Sequence, residues 1–123
     1  ITNHPGKCAS LHGHTWRVRI TIAGPVNPDT GMVMDFFELK RIGTSLLYNQ
    51  WDHAAILAAW DPLVQPCRDI GSRLVVTEAE PTSEVLAGYI ARHVHQQLPI
   101  DIRLVRVEVW ETPGCSAAVR LDA

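Results

Sequence analysis

The chain has 123 residues, of which 46% are hydrophobic and 20% are charged, a composition typical of one globular domain with a buried core. Its formal net charge is -2, and no apolar run approaches the roughly 20 residues that span a bilayer, so we expect neither a nucleic-acid nor a membrane partner. Three cysteines without a C-x-x-C pair predict no disulfide framework and favour a reducing cytoplasm.

The hydrophobic pattern predicts an α+β domain with a mainly antiparallel sheet backed by helices. Asp35 is a good N-cap, with Glu38 three positions on, and predicts a first helix that runs to about Tyr48. A second helix is expected from Ser83 to Gln97. Strands are predicted, in chain order, at residues 16–23, 73–79, 103–111 and 116–122.

The stretch CASLHGHTW, residues 8 to 16, places a cysteine and two histidines at the start of the first strand. His12 and His14 are two residues apart, so on an extended backbone both imidazoles leave the same face, and Gly13 between them lets another group approach. This geometry suits two ligands of one metal ion, for which zinc is a usual choice. Cys8 is then either a third ligand, or a nucleophile or base beside the metal, where positive charge favours the thiolate.

Asp52 and His53 follow the first predicted helix. A carboxylate that orients an imidazole is how enzymes hold a proton-transferring histidine in the required tautomer. The alternative is a turn aspartate beside a surface histidine, because adjacency in sequence does not guarantee the contact.

Glu111 closes the strand at 103–111. A carboxylate at a strand end usually faces solvent, but on the floor of a pocket it accepts two N–H donors from an aminopyrimidine edge. Thr82 and Ser83 begin the second helix, where capping explains them, although free backbone N–H groups at a helix start also hold polar ligand atoms.

Five motifs give the chain its resemblance to a known family. In chain order they are C-A-S-L-H-G-H, G-M-V-M-D-F-x-E-L-K, D-H, P-T-S-E-V-L-A and V-W-E-T-P. Together they resemble the pterin synthases of the tunnelling fold, the 6-carboxy- and 6-pyruvoyl-tetrahydropterin synthases. The resemblance implies an antiparallel four-stranded sheet with two helices on one face, which assembles into a barrel. It also implies a cytoplasmic homohexamer of two trimers, with sites between subunits.

The same resemblance implies roles for eight residues of this chain. They are two zinc ligands (His12, His14), three catalytic residues (Cys8, Asp52, His53) and three substrate-binding residues (Glu111, Thr82, Ser83). Cys8 would be the catalytic base, Asp52 and His53 the rest of the proton relay, and Glu111 the anchor of the pterin.

The reaction implied is a zinc-dependent conversion of 7,8-dihydroneopterin triphosphate to 6-carboxy-5,6,7,8-tetrahydropterin, with release of acetaldehyde and triphosphate, on the queuosine and deazapurine route. The gap between Cys8 and His12 favours this carboxy branch. The alternative lyase stops at the pyruvoyl product after triphosphate elimination. A third reading, a non-catalytic metal- or pterin-binding module, does not need the proton relay that the chain retains.

Two features depart from the family pattern. The family's third zinc histidine lies on a first strand that would fall before Ile1, so we expect residues 1–123 to form a single domain without that strand and the third ligand to lie upstream of Ile1, with His4 as the alternative. The segment between the D-H and P-T-S-E motifs, residues 54–80, is longer than in the family. It predicts a surface excursion of unknown role.

Overall fold

Five strands and three α-helices are formed by the residues that the computed structural model describes, 1–2, 5–6 and 10–121. The strands are β1 (Arg17–Ala23), β2 (Ala55–Ala58), β3 (Leu74–Thr77), β4 (Arg103–Thr112) and β5 (Cys115–Arg120). The helices are α1 (Phe36–Leu46), α2 (Val64–Asp69) and α3 (Ser83–Gln97), and a π-helical turn, Leu47–Trp51, follows α1. Cys8 and His4, for which the sequence predicted a catalytic and a ligand role, lie outside the described residues.

The three-stranded sheet has the order β1-β4-β5, and both pairs are antiparallel. Its two faces follow from the alternation along β1: Val18 and Ile20 pack on the core, whereas Arg17 and Arg19 are exposed. The register pairs Arg17 with Trp110 and Val18 with Val109. The beginning of β1 therefore lies beside the end of β4.

Helices α1 and α3 cover the apolar face of this sheet, as the sequence predicted. Ile42 of α1, Ile90 of α3 and Val107 of β4 are at most 1% exposed and belong to one hydrophobic cluster. The helical spacing of Leu86, Ile90 and Val94 aligns them on the face of α3 that packs inward. None of the helices in the described residues is long and apolar enough to cross a membrane.

The prediction of a four-stranded antiparallel sheet is wrong for the described residues. The strand expected at 73–79 forms as β3, but it pairs in parallel with β2 in a separate two-stranded sheet, with Ala55 opposite Leu74 and Ala58 opposite Thr77. The helix α2 lies between these strands in the chain, which is the crossover that a parallel pair requires. The strand β2 was not among the predicted strands, because its apolar run of four residues carries too little periodicity to identify a strand.

The first helix begins as predicted and ends earlier than predicted. Asp35 is its N-cap, as expected, and its carboxylate accepts the Phe37 N–H at 2.8 Å. Glu38 forms a salt bridge with Arg41 at 2.5 Å, so its carboxylate is engaged along the helix and does not close a capping box. The α-helical hydrogen bonding ends at Leu46, two residues before the predicted end, and the π-helical turn carries the chain to Trp51.

Glu80 ties the first described residues to the connection between β3 and α3. Its Oε1 accepts a hydrogen bond from the Thr2 backbone N–H at 3.1 Å and another from the Thr2 hydroxyl. The Trp60 indole N–H donates to the same hydroxyl oxygen at 3.1 Å. These bonds, led by the one from the Thr2 hydroxyl, hold the pKa of Glu80 below its ordinary value.

We expect this tie to make the folded state sensitive to acid. A carboxyl whose pKa is lowered on folding stabilises the fold fully above its unfolded pKa, and this contribution is lost as the pH falls through the lower, folded pKa. Urea unfolding should show Glu80→Gln less stable than wild type near neutral pH, with the difference shrinking from about pH 6 to about pH 3. Glu78→Gln, at an exposed position two residues away, is the control and should follow wild type. If the difference in unfolding free energy between wild type and Glu80→Gln does not change with pH, the ionised Glu80 carboxylate does not stabilise the fold through these hydrogen bonds.

Candidate metal centre and substrate cleft

Three potential metal ligands meet where β1 begins and β4 ends. Because β1 and β4 run antiparallel, His14, just before β1, lies beside Glu111, near the end of β4, and their Nε2 and Oε1 atoms are 2.7 Å apart. The rings of His12 and His14 are in contact, with centroids 4.8 Å apart and planes perpendicular. One ligand atom from each of His12, His14 and Glu111 lies within 4.8 Å of the other two.

The tautomer of His12 leaves its outer nitrogen available. Its Nδ1 lies 2.6 Å from the backbone carbonyl oxygen of Ser10. A carbonyl oxygen only accepts hydrogen bonds, so Nδ1 carries a proton, and in the neutral imidazole Nε2 then presents a lone pair. This is the arrangement by which a second bond fixes the orientation of a metal-binding imidazole.

The surroundings of His14 also fit a cation. Its Nε2 is buried and close to Glu111, yet the contact lacks the alignment of a hydrogen bond, and the atom has no hydrogen-bond partner among the described residues. A buried polar atom without a partner is costly, and a metal ion would satisfy it. Imidazole nitrogen and carboxylate oxygen are both ligands that zinc accepts. The donor set therefore fits the metal that the sequence predicted.

A cleft of about 840 Å³ opens over this centre. Two further predicted residues, Thr82 and Ser83 at the start of α3, line it together with the histidines and Glu111. A smaller groove of about 280 Å³ is lined by residues of α1, the π-helical turn, β3 and α3, and none of the predicted site residues is among them. One cleft thus collects five of the eight residues singled out from the sequence.

Thr82, which lines the cleft, also caps the N-terminus of α3. The Thr82 hydroxyl accepts the Val85 N–H at 3.3 Å, which makes Thr82 the N-cap, so the capping interpretation holds for this side chain. Ser83 is 8% exposed. The first turn of a helix also presents backbone N–H groups and the positive end of the dipole, and here that end lies at the cleft.

The segment 54–80, expected to be a surface excursion of unknown role, supplies one wall of the cleft. The contributing side chains come from β2 and from the turn that follows it, and they are mostly apolar: Ile56, Leu57, Asp61, Pro62 and Leu63. Asp61 shapes the turn by accepting the Leu63 N–H at 2.8 Å. Sequence reasoning missed these residues, and the Asp-Pro pair at 61–62 was the available signal for a structured turn.

Asp52 and His53 contact each other but do not line the cleft. The His53 Nδ1 lies 3.0 Å from the Asp52 carboxylate, so the adjacent pair does make the contact that sequence alone left open. His53 has a positive φ of 59°, uncommon for a residue with a side chain, and its side chain is 89% exposed. The imidazole is therefore held by Asp52 and turned toward the surface of this chain.

Arg73, just before β3, holds the turn that carries this pair. Its guanidinium donates to the backbone carbonyl of Asp52 at 2.8 Å and also to the carbonyl of Asn49. These carbonyls lie at the end of the π-helical turn, where backbone acceptors lack intrahelical donors and a cation is favourable. The longer segment 54–80 thus supports the Asp52–His53 turn as well as the cleft.

Comparisons with known proteins agree with the motifs. A family model described as 6-pyruvoyl tetrahydropterin synthase matches residues 1–122. A probable 6-carboxy-5,6,7,8-tetrahydropterin synthase from Halobacterium salinarum is 36% identical over 119 residues, covering 95% of this chain and 75% of the relative.

Solved structures show the same fold. The 6-pyruvoyl tetrahydropterin synthase of Caenorhabditis elegans matches with a TM-score of 0.67 at 26% identity, over 95% of this chain and 75% of that one. The Plasmodium vivax 6-pyruvoyl tetrahydropterin synthase matches with a TM-score of 0.72 at 22% identity, over 93% and 83% of the two chains. The resemblance is confirmed: the chain belongs to the 6-pyruvoyl tetrahydropterin synthase family, whose members are enzymes of pterin synthesis.

Proposed function

We propose that the chain is a zinc-dependent lyase that converts 7,8-dihydroneopterin triphosphate to 6-carboxy-5,6,7,8-tetrahydropterin, releasing acetaldehyde and triphosphate. The observation that carries the proposal is the cluster of His12, His14 and Glu111 in one cleft, in a member of the pterin synthase family. The name of the 36% identical relative supports the carboxy product.

His12 and His14 hold the zinc ion in this proposal. His12 offers Nε2 because its Nδ1 is engaged by the Ser10 carbonyl, and His14 offers the Nε2 that lacks a hydrogen-bond partner. When bound, zinc polarises oxygens of the substrate side chain and acidifies the neighbouring C–H bonds. The family resemblance assigns the third ligand to a histidine upstream of Ile1, whereas Glu111 is close enough to take that position itself.

We propose that Glu111 anchors the pterin ring and is not the third zinc ligand. Its carboxylate accepts N–H donors from the amide and amine edge of the pterin, while Thr82 and Ser83 bind the ring from the start of α3. A carboxylate provides two acceptor oxygens for this edge, whereas a glutamine side chain has one acceptor and an NH₂ group that repels the same donors. The apolar wall formed by Ile56 and Leu63 would cover the faces of the ring.

Proton transfer is assigned to Cys8, Asp52 and His53. Cys8 removes a proton from the substrate side chain as a thiolate. His53 exchanges the next proton through Nε2, because its Nδ1 lies 3.0 Å from the Asp52 carboxylate. His53 does not line the cleft of its own chain, so the relay requires a second copy that brings its Asp52–His53 turn to the cleft. We therefore propose a homohexamer of two trimers, in which the sheets close into a barrel.

The second candidate reaction stops after triphosphate elimination and tautomerisation, at 6-pyruvoyl-tetrahydropterin. It is favoured by the description of the family model and by the names of the two solved relatives. The two candidates differ in whether a carbon–carbon bond is broken and acetaldehyde released.

Incubation of the zinc-loaded full-length protein with 7,8-dihydroneopterin triphosphate, followed by mass spectrometry, tests the proposal. Acetaldehyde and a carboxylated pterin are expected. A pyruvoyl product without acetaldehyde would select the second candidate. Unchanged substrate, with zinc bound, would reject both lyase reactions.

The metal assignment predicts a specific loss of zinc. Purified protein should contain about one zinc ion per subunit, and His12→Ala or His14→Ala should lose it, because two ligands are too few for a stable site. His95→Ala, at an exposed position of α3, is the control and should keep its zinc. Metal analysis by mass spectrometry checks this, and unchanged zinc in both cleft variants would remove the histidines from the metal site.

The anchor assignment for Glu111 predicts a binding defect without metal loss. Glu111→Gln should raise KM by at least about tenfold, since a carboxylate that accepts hydrogen bonds from the unreactive end of the substrate is lost. Zinc content should stay at the wild-type value. If zinc is lost together with activity, Glu111 is a metal ligand and the anchor assignment is wrong. Glu78→Gln, outside the cleft, controls for a change in net charge.

The shared relay predicts complementation between inactive variants. Cys8→Ala and His53→Ala should each lower kcat by at least about a hundredfold, the usual scale for an acid–base group. The two proteins are then mixed under conditions that exchange subunits. Some sites in the mixed oligomers will combine an intact Cys8 from one chain with an intact His53 from its neighbour. Part of the activity should therefore return. Verified mixed oligomers without any recovery would place both residues in the site of one chain.

A further inference from the structure

The face of the three-stranded sheet that points away from the helices is strongly cationic. Alternation along the strands places three cross-strand rows on this face. The rows are Arg17–Trp110–Ser116, Arg19–Glu108–Ala118 and Thr21–Arg106–Arg120. These three rows thus contain four arginines and one carboxylate, in a chain whose formal net charge is -2.

The single carboxylate on this face is already engaged. Glu108 lies 3.3 Å from the Arg106 guanidinium and accepts the Ser116 hydroxyl at 2.9 Å. Neither Arg17 nor Arg19 has a carboxylate partner within the part of the chain that the structure describes, and both are exposed. Their positive charges are therefore available to an anion from outside the chain.

Trp110 brings these two arginines together. The Arg17 guanidinium carbon lies 5.2 Å from the centroid of the Trp110 ring, and that of Arg19 lies 5.3 Å from the same centroid. Stacking on an indole orients a guanidinium and leaves its N–H edge free for hydrogen bonds. Two like charges on one ring repel each other, and an anion bound by both would relieve this repulsion.

The paired arginines adjoin the cleft. Ser116, in the same cross-strand row as Arg17, lines the cleft, and so does Trp16, the residue before Arg17. Glu111, which follows Trp110, also lines it. The row Arg17–Trp110–Ser116 is therefore the rim between the cleft and the open face of the sheet.

The cleft itself is unsuited to a polyphosphate. Its lining includes three carboxylates, Asp61, Glu84 and Glu111, and no lysine or arginine among the described residues. A triphosphate needs cationic donors, and the forked guanidinium matches phosphate oxygens in a bidentate manner. Among the described residues, Arg17 and Arg19 provide such guanidinium groups on Trp110 at the rim.

We propose that Arg17 and Arg19, stacked on Trp110, form a phosphate-binding site at the rim of the cleft that takes the triphosphate of a pterin substrate. The inference rests on the proposed function for the identity of the substrate, whereas the anion site stands on the arginines alone. In this arrangement the cleft binds the uncharged ring and the side chain over the metal, and the open sheet face binds the polyanionic end.

Titration calorimetry with inorganic triphosphate on the zinc-loaded protein tests the site. Arg17→Gln/Arg19→Gln should weaken triphosphate binding by at least about tenfold, since two charge-assisted bonds are lost. Arg120→Gln removes one arginine from the far row of the same face and should stay within about twofold of wild type. Equal binding by the double variant and wild type, or an equally large loss in Arg120→Gln, would overturn a localised site.

Two further measurements complete the test. Arg17→Lys/Arg19→Lys keeps both charges and should bind triphosphate better than the glutamine variant; no recovery would oppose an electrostatic site. Affinity for unphosphorylated dihydroneopterin and zinc content should be unchanged in the double glutamine variant, while KM for the triphosphate rises. A protein that binds triphosphate at these arginines but does not turn over dihydroneopterin triphosphate would reject the proposed reaction and retain the anion site. Turnover with an unchanged KM in the double glutamine variant would reject the site and retain the reaction.

Discussion

The antiparallel register between β1 and β4 is the constraint on which the rest of the structure depends. It pairs Arg17 with Trp110 and so brings the histidines that precede β1 to the glutamate that ends β4. A slip by one residue would exchange the two faces of β1, burying Arg17 and Arg19 and exposing Val18 and Ile20. The hydrophobic contacts of Val18 and Ile20 with α1 and α3 therefore fix the register, and the register positions the candidate metal ligands.

Local signals in the sequence were sufficient for the regular elements that carry strong periodicity. The helix α3 begins at Ser83 and ends at Gln97 as predicted, because Thr82 caps it and its apolar residues recur at helical spacing. The strand β1 was placed to within one residue by its alternation. The proximity of His12 and His14 also followed from their separation of two residues.

Contacts between distant segments could not be predicted in this way. The approach of Glu111 to His14 depends on the pairing of strands far apart in the chain, which no local pattern encodes. For the same reason the parallel pairing of β2 with β3 was missed, and residues such as Ile56 and Leu63 were not recognised as part of a cleft. The motifs predicted a set of site residues, and among the described ones Asp52 and His53 do not line the cleft that the other five share.

The guanidinium of Arg73 has a consequence for the dynamics of the protein. A turn at the end of a helix ordinarily frays with the last helical residues and opens independently of the rest of the fold. Here the carbonyls of Asn49 and Asp52 accept hydrogen bonds from the side chain of Arg73, the residue before β3, so opening of the turn breaks these bonds as well. The turn that carries the exposed imidazole of His53, with its positive φ, is therefore tied by side-chain hydrogen bonds to the segment that leads into β3.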